Sequence, residues 1–442
     1  MNSDDVITLR PGDIAADDTG SAAERMRERD RRHVWHTWTP LGVDRSELML
    51  SHGDGYRVWD VDGRQYIDAS GLNAVCGYGH PDLLQAMNRQ LSRLHHVDIS
   101  VASHEPVGLL AERIASYLPG PAGKTLFVNS GSEAFDAALL IAAAYWSYVG
   151  RPRDRVVTFT RGYHGSTVAA RTLSGLPPTD HWLRDPFPVT HVDLPVETPE
   201  VRRPESLPLL RAAFEAAIGA GEPPLAVVVE PFLNVGGAVV LPDGFLSAVK
   251  ELCDAADTLL IVDEVFTGYG RTGRMFACDR EGVHPQILVS SKALGSGYVT
   301  IGAVTVQPHI HDAFGGDPVI GGLRYGHTTS GHPAACAVAL ATLDVIEREG
   351  LVERAERLGG VLLEGLSRFD HDDVVYVRGL GLALAMETSS MEAATRLRER
   401  FARNGLLVRQ QAQVLMAVPP LILDDEGAAE MLQRVRGALA EG

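Results

Sequence analysis

The chain has 442 residues, 45% of them hydrophobic, which is enough for a sizeable core and more than one domain. Its 40 basic and 57 acidic residues leave a net charge of −17, which argues against a nucleic-acid or anionic-membrane surface, where a basic stripe is expected. Cys76, Cys253, Cys278 and Cys336 stand far apart with no CxxC pair. A disulfide framework, a zinc ribbon and any other metal site are therefore not expected, and a cytoplasmic location fits. No apolar stretch reaches the length of a bilayer span, and Met1-Asn2-Ser3-Asp4-Asp5 lacks the basic and then apolar pattern of a signal peptide.

Residues 1–32 are polar and charged and read as a flexible tail or a short exposed helix. Order is expected to begin near Trp35-His36-Thr37-Trp38. Tyr56–Asp60 and Gln65–Asp68 alternate apolar residues around Asp62-Gly63, the pattern of a β-hairpin. From about residue 105 helical and strand patterns alternate. Helices are predicted over 109–117, 133–148, 206–220 and 244–256. Strands are predicted over 125–128, 155–159, 225–229, 259–262, 287–289 and 301–306. Short apolar β-branched strands separated by helices imply a mostly parallel central sheet with helices on both faces. Helices over 333–348, 352–368 and 391–403, with strands at 374–377 and 383–386, complete a mixed tail. The expected division is a tail (1–32), the N-terminal part of a small domain (33–80), a large domain (81–335) and the C-terminal part of the small domain (336–442).

In open parallel sheets ligands bind beyond the carboxyl ends of the strands, and polar groups cluster there in this chain. Lys292 follows the apolar run Ile287-Leu288-Val289, in a small-residue loop. Desolvation at such a place lowers an amine's pKa and frees it as a nucleophile. Asp263 ends the apolar run 259–262, and a carboxylate at a buried strand end needs a partner such as a protonated ring nitrogen. Glu230 ends the run 225–229. Ser130-Gly131-Ser132 open the helix after strand 125–128, which suits a phosphate, although Ser130 or Ser132 also reads simply as an N-cap. Tyr163, after strand 155–159, reads as a stacking partner for a flat ring or as plain packing. His164 reads as a structural histidine, a general base or a ring-edge contact. Gly268–Gly273 is glycine-rich but lacks a P-loop lysine and the strand–GxGxxG–helix context. One cofactor satisfies the rest of the list: pyridoxal 5'-phosphate, with its phosphate on Ser130–Ser132, its ring over Tyr163, its nitrogen on Asp263 and a Schiff base to Lys292.

In these blocks, together with Glu230-Pro231, Asp263-Glu264-Val265, Ser291-Lys292-Ala293-Leu294 and Gly326-His327-Thr328-Thr329-Ser330-Gly331, the chain resembles the class III aminotransferases of the fold-type-I pyridoxal-phosphate superfamily over residues 33–440. The resemblance implies that Tyr163, Lys292 and Asp263 are catalytic and that Val265 packs the ring face opposite Tyr163. It implies a homodimer with shared active sites, in which Thr328 reaches the partner's cofactor phosphate. Arg409 matches an arginine that binds a substrate carboxylate in many members; without the resemblance it reads as a surface arginine. Leu72 and Trp38 are candidate substrate-pocket residues, Leu72-Asn73 standing where many omega-transaminases carry tryptophan. Asn234-Val235-Gly236-Gly237 lacks the glutamate of ornithine- and GABA-type members, which argues against those two substrates.

The expected function is therefore transfer of an amino group from an amine or amino acid donor to a keto acid or aldehyde acceptor by ping-pong chemistry. The alternative keeps the cofactor and changes the reaction to racemisation, decarboxylation, aminomutation or phospholysis. A nucleotide-binding scaffold, suggested by Gly268–Gly273, leaves Lys292 and Asp263 unexplained.

Overall fold

The computed structural model describes residues 21–121, 123–176 and 184–441. Most of the expected N-terminal tail lies outside the described residues. Its end is the short exposed helix: Ser21 caps α1 (Ala22–His33) through a reciprocal box with Glu24, and none of the helix is buried. The hairpin forms as expected. β2 (Arg57–Asp60) pairs antiparallel with β3 (Gln65–Asp68), and β1 (Leu50–Asp54) adds to its outer edge.

Seven strands make the central sheet. They are β4 (Lys124–Val128), β5 (Val156–Phe159), β6 (Val189–Val192), β7 (Ala226–Val229), β10 (Leu259–Asp263), β11 (Ile287–Ser290) and β12 (Gly302–Val306). A two-strand ribbon, β8 (Phe232–Leu233) with β9 (Val239–Val240), follows β7. The spatial order is β4-β12-β11-β10-β7-β5-β6. Every residue of β5, β7, β10, β11 and β12 is buried, which explains why these strands read as continuous apolar runs. Each such Val or Ile stabilises the fold by roughly 1.5–3 kcal/mol relative to exposure. The sheet departs from the parallel expectation in one strand: β12 runs antiparallel to both β11 and β4. Residues 291–301, which link β11 to β12, contain only a 3-10 turn at Lys292–Gly295, and a parallel return needs a longer crossover.

α2 (Pro81–Arg93) and α3 (Glu105–Ser116) pack against the long helix Pro333–Arg348. α3 starts four residues earlier than expected, because His104 caps it and Pro106 occupies its first turn. α4 (Gly131–Tyr148) backs the sheet with Ala134, Phe135, Ala138, Ile141 and Ala142 buried. Toward the C-terminus, β13 (Val374–Leu380), β14 (Ala383–Thr388), β16 (Arg409–Gln411) and β17 (Val414–Ala417) form a separate antiparallel sheet. β15 (Leu406–Leu407) instead joins β3 in parallel, so the two ends of the chain share one sheet.

The glycine-rich stretch 268–273 is not a nucleotide loop. Arg271 is fully buried within it and donates from Nη1 to the carbonyls of Leu382 (3.0 Å) and Pro419 (2.6 Å). It clasps the central sheet to the C-terminal one. Burial pushes its guanidinium down to about 10, with no carboxylate among the described residues to offset the cost.

Candidate active site

Six of the seven central strands point their carboxyl ends at one edge, and β12 begins there. That edge gathers the strand-end residues. β4 delivers Asn129 and Ser130, β5 delivers Tyr163 and His164, β7 delivers Glu230, β10 ends on Asp263, and β11 leads into Lys292. A cavity of about 410 Å³ opens among them, with Ser130, Tyr163, Glu230, Asp263, Val265 and Lys292 in its wall. Gly131, Ser132 and His164 line it as well.

Asp263 is 4% exposed. Its Oδ2 accepts from His164 Nδ1 at 2.7 Å and its Oδ1 from the Val265 N–H at 2.9 Å. His164 Nε2 lies 3.1 Å from Thr158 Oγ1. These two hydrogen bonds fit the reading of His164 as a structural histidine. Glu230 Oε1 accepts the Tyr163 N–H at 3.0 Å and Oε2 the Asn234 N–H at 3.3 Å. Burial, reinforced by the charge of Asp263, pushes the Glu230 carboxyl up to about 7. Lys292 keeps part of its surface open to the cavity. Burial holds its ammonium below the usual lysine range, against the pull of Asp263 and Glu230. Its Nζ lies 5.5 Å from the centroid of Phe266.

Lys292 also has φ +37°, in the left-handed region where a side chain is strained. The surrounding turn fixes it there. Ser291 Oγ donates to the Ile301 carbonyl at 2.7 Å, and the N–H of Leu294 donates to the Ser291 carbonyl at 2.9 Å. Strain of this kind concentrates where a group must be aimed.

At the start of α4, Ser130 Oγ accepts the Glu133 N–H at 3.2 Å, so the capping reading of Ser130 holds. It does not displace the anion reading: the N–H groups of Gly131 and Ser132 remain at the open, positive end of the helix. Ser132 Oγ accepts the Ser166 N–H at 3.0 Å, which ties this turn to the loop carrying Tyr163. A Cβ on Gly131 would meet Val265 Cγ1 at 2.9 Å, so the turn and Val265 are in close register.

Four expected site residues stand outside the cavity wall. Trp38 is 74% exposed and touches Tyr163 edge-on, with centroids 6.0 Å apart. Leu72 packs against the cluster containing Phe232 and Phe266, behind the wall. Arg409 is exposed, and among the described residues its Nη1 reaches only the Ser70 carbonyl, at 3.5 Å. Thr328 is exposed. Sequence reasoning did not single out Phe266 and Asn234 as site residues, yet both line the cavity. The available signal was proximity: Phe266 follows Val265, and Asn234 follows Glu230 by one helical turn's spacing.

A sequence pattern of class III aminotransferases matches residues 40–439. The chain is 32% identical to the adenosylmethionine-8-amino-7-oxononanoate aminotransferase of Geobacter sulfurreducens, over 91% of this chain and 94% of that one. It is 31% identical to a probable mitochondrial gamma-aminobutyrate transaminase 3 of Oryza sativa subsp. indica, over 90% and 82%. Among solved structures, the omega transaminase of Pseudomonas jessenii in complex with PMP superposes with a TM-score of 0.87 at 31% identity, over 94% of this chain and 97% of that one. A transaminase with the fold-type-I architecture accounts for the sheet, its carboxyl edge and the matched relatives alike: the chain belongs to the class III aminotransferases.

Proposed function

We propose that the cavity at the sheet edge holds pyridoxal 5'-phosphate and that this aminotransferase works through it as a homodimer. The observation that carries the reading is the pairing of an amine and a buried carboxylate. Lys292 and Asp263 sit at the ends of the adjacent parallel strands β11 and β10, on one cavity, beside an open helix N-terminus. The donor set fits that cofactor: N–H groups and hydroxyls for a phosphate, a carboxylate for a ring nitrogen, and an amine for an aldehyde. Bound, the cofactor supplies an electron sink for the negative charge left at a substrate carbon.

Asp263, fixed by His164 and the Val265 N–H, keeps the ring nitrogen cationic. Tyr163 and Val265 clamp the two ring faces. Lys292, held below its ordinary pKa, moves a proton at the substrate Cα. Arg409 has no carboxylate within ion-pair distance among the described residues, which supports its taking a substrate carboxylate, with Trp38 and Leu72 shaping the outer pocket. Thr328 completes the phosphate site of the partner copy. Its exposure supports this, as do Val319 (68% exposed) and Ile320 (62%) on the segment leading to it. The donors fall among amino acids and amines, and the acceptors among keto acids and aldehydes. The buried free cysteines fit a cytoplasmic enzyme, and no helix among the described residues is long and apolar enough to cross a membrane.

The test is Lys292→Ala. The purified variant, incubated with pyridoxal phosphate, is expected to lack the visible absorbance of the wild-type adduct and to transfer no amino group from any donor to pyruvate. Retained absorbance and turnover would refute the reading.

A further inference from the structure

Asn234 carries an amide that the fold does not use. The residue is 1% exposed, yet its side chain makes no hydrogen bond among the described residues, and its Oδ1 is buried without a partner. Its backbone, by contrast, is engaged: its N–H donates to Glu230 Oε2 at 3.3 Å, and its carbonyl accepts the Ala238 N–H at 2.9 Å. Asparagine often earns a buried place by capping a turn or by adopting left-handed backbone. Neither applies, since the side chain caps nothing and the positive-φ residues of this loop are Gly237 and Ala238. Buried polar groups are almost always paired, so an idle amide on the wall of the reactive cavity points to a ligand atom.

The order of the strands says which atom. On the cofactor ring, the carbon that meets the lysine lies between the carbon bearing the phosphate arm and the carbon bearing the hydroxyl. The phosphate turn is at the end of β4, Lys292 follows β11 and Asp263 ends β10, in the spatial order β4-β12-β11-β10-β7. A ring with its phosphate toward β4 and its nitrogen on Asp263 turns its oxygen away from β4, toward the loop after β7. Two cavity-lining side chains come from that loop, Glu230 and Asn234. Glu230 already accepts N–H groups at both oxygens, and it offers an O–H donor only while protonated, below about pH 7. The neighbouring Phe266 cannot donate at all. His164 is committed to Asp263 and Thr158. Rotation about χ2 presents either end of the Asn234 amide to the cavity, and its nitrogen end is the uncommitted donor of that wall.

We propose that Asn234 is a positioning residue that donates its amide N–H to the ring oxygen of the cofactor. The inference rests on the assignment of pyridoxal phosphate to this cavity. A donor there stabilises the oxygen's negative charge most when the neighbouring nitrogen, joined to Lys292, has lost its proton. Removing the donor therefore raises the pH at which the visible band of the resting holoenzyme titrates.

The experiment is a spectrophotometric pH titration of the wild-type holoenzyme, Asn234→Ala and Asn234→Asp. Asn234→Ala is expected to titrate about one pH unit higher than wild type, the size of a charge-assisted hydrogen bond. Asn234→Asp, isosteric and anionic, is expected to titrate higher still and decides the matter if the alanine variant fails to fold. Variants that titrate as wild type overturn the inference, including a case in which only the KM for the amine changes, which makes Asn234 a substrate contact. A wild type with no visible band overturns the cofactor assignment and this inference together.

Discussion

Among cofactor-free variants, Lys292→Gly is expected to be more stable than Lys292→Ala. Both lose the ammonium and the stem beyond Cβ, so the burial and charge of that part cancel in the comparison. What remains is the backbone, held at φ +37° by the turn through Ser291 and Leu294. An alanine keeps a Cβ in the left-handed region and costs roughly 1–2 kcal/mol there. A glycine avoids that cost but makes the unfolded chain more flexible, which takes back about 0.4–1 kcal/mol. The net advantage of glycine is about 0.8 kcal/mol at the centre of these two ranges. Urea unfolding of the two apoproteins, followed by far-UV circular dichroism, measures it as a midpoint difference of about 0.3 M for m of ~3 kcal/mol/M. An alanine variant as stable as the glycine variant, or more so, refutes strain at Lys292 and with it the idea that the turn aims the amine.

Three more outcomes follow from named contacts. Gly131→Ala places a methyl 2.9 Å from Val265 Cγ1, so it is expected to weaken pyridoxal-phosphate binding about tenfold, with part of the loss recovered in the Gly131→Ala/Val265→Ala double variant, as equilibrium dialysis will show. Glu264 is wholly buried, accepts from the Cys278 N–H and the Thr267 hydroxyl, and has its carboxyl raised by burial from 4.5 to about 7. Because the folded state holds this proton more tightly than the unfolded chain, wild type loses stability as pH rises from about 4.5 to about 7, by at most about 3 kcal/mol. Glu264→Gln is expected to flatten that slope, leaving the part due to Glu230, whose shift has the same sense; unchanged slopes in urea melts across this range refute the assignment. Thr328→Ala is expected to raise the cofactor's dissociation constant although Thr328 touches nothing in its own cavity, and to do so only under conditions where size-exclusion chromatography shows a dimer.

The central sheet was legible because its strands are buried on both faces and therefore read as unbroken apolar runs. The same property exposed the chemistry. A carboxylate at the end of Leu259–Val262 and an amine just past Ile287–Val289 are conspicuous because nothing apolar explains them. The less visible elements are those with mixed burial or little length. β6 carries Thr190 and His191 at the sheet's edge, and β15 has only two residues. The direction of β12 was hidden for another reason: composition reports burial, and burial is the same for either direction. Only the short link through Lys292–Gly295 decides it.

The site residues divide along the same line. Ser130, Tyr163, Glu230, Asp263 and Lys292 converge because each is fixed by the end of its own strand, so their placement follows from one sheet. Arg409, Trp38 and Thr328 were named by resemblance, and in the proposed reading each awaits another body: a substrate for Arg409 and Trp38, a second copy for Thr328. Their exposure in one chain is what such roles require, and no strand-end argument can reach them. Asn234 and Phe266 are the reverse case. They belong to the cavity by geometry, but neither a neutral amide nor a phenyl ring looks anomalous in a sequence. An asparagine becomes informative only when its hydrogen bonds are accounted for, and here the account ends with a buried amide oxygen left idle on the cavity that Lys292 also lines.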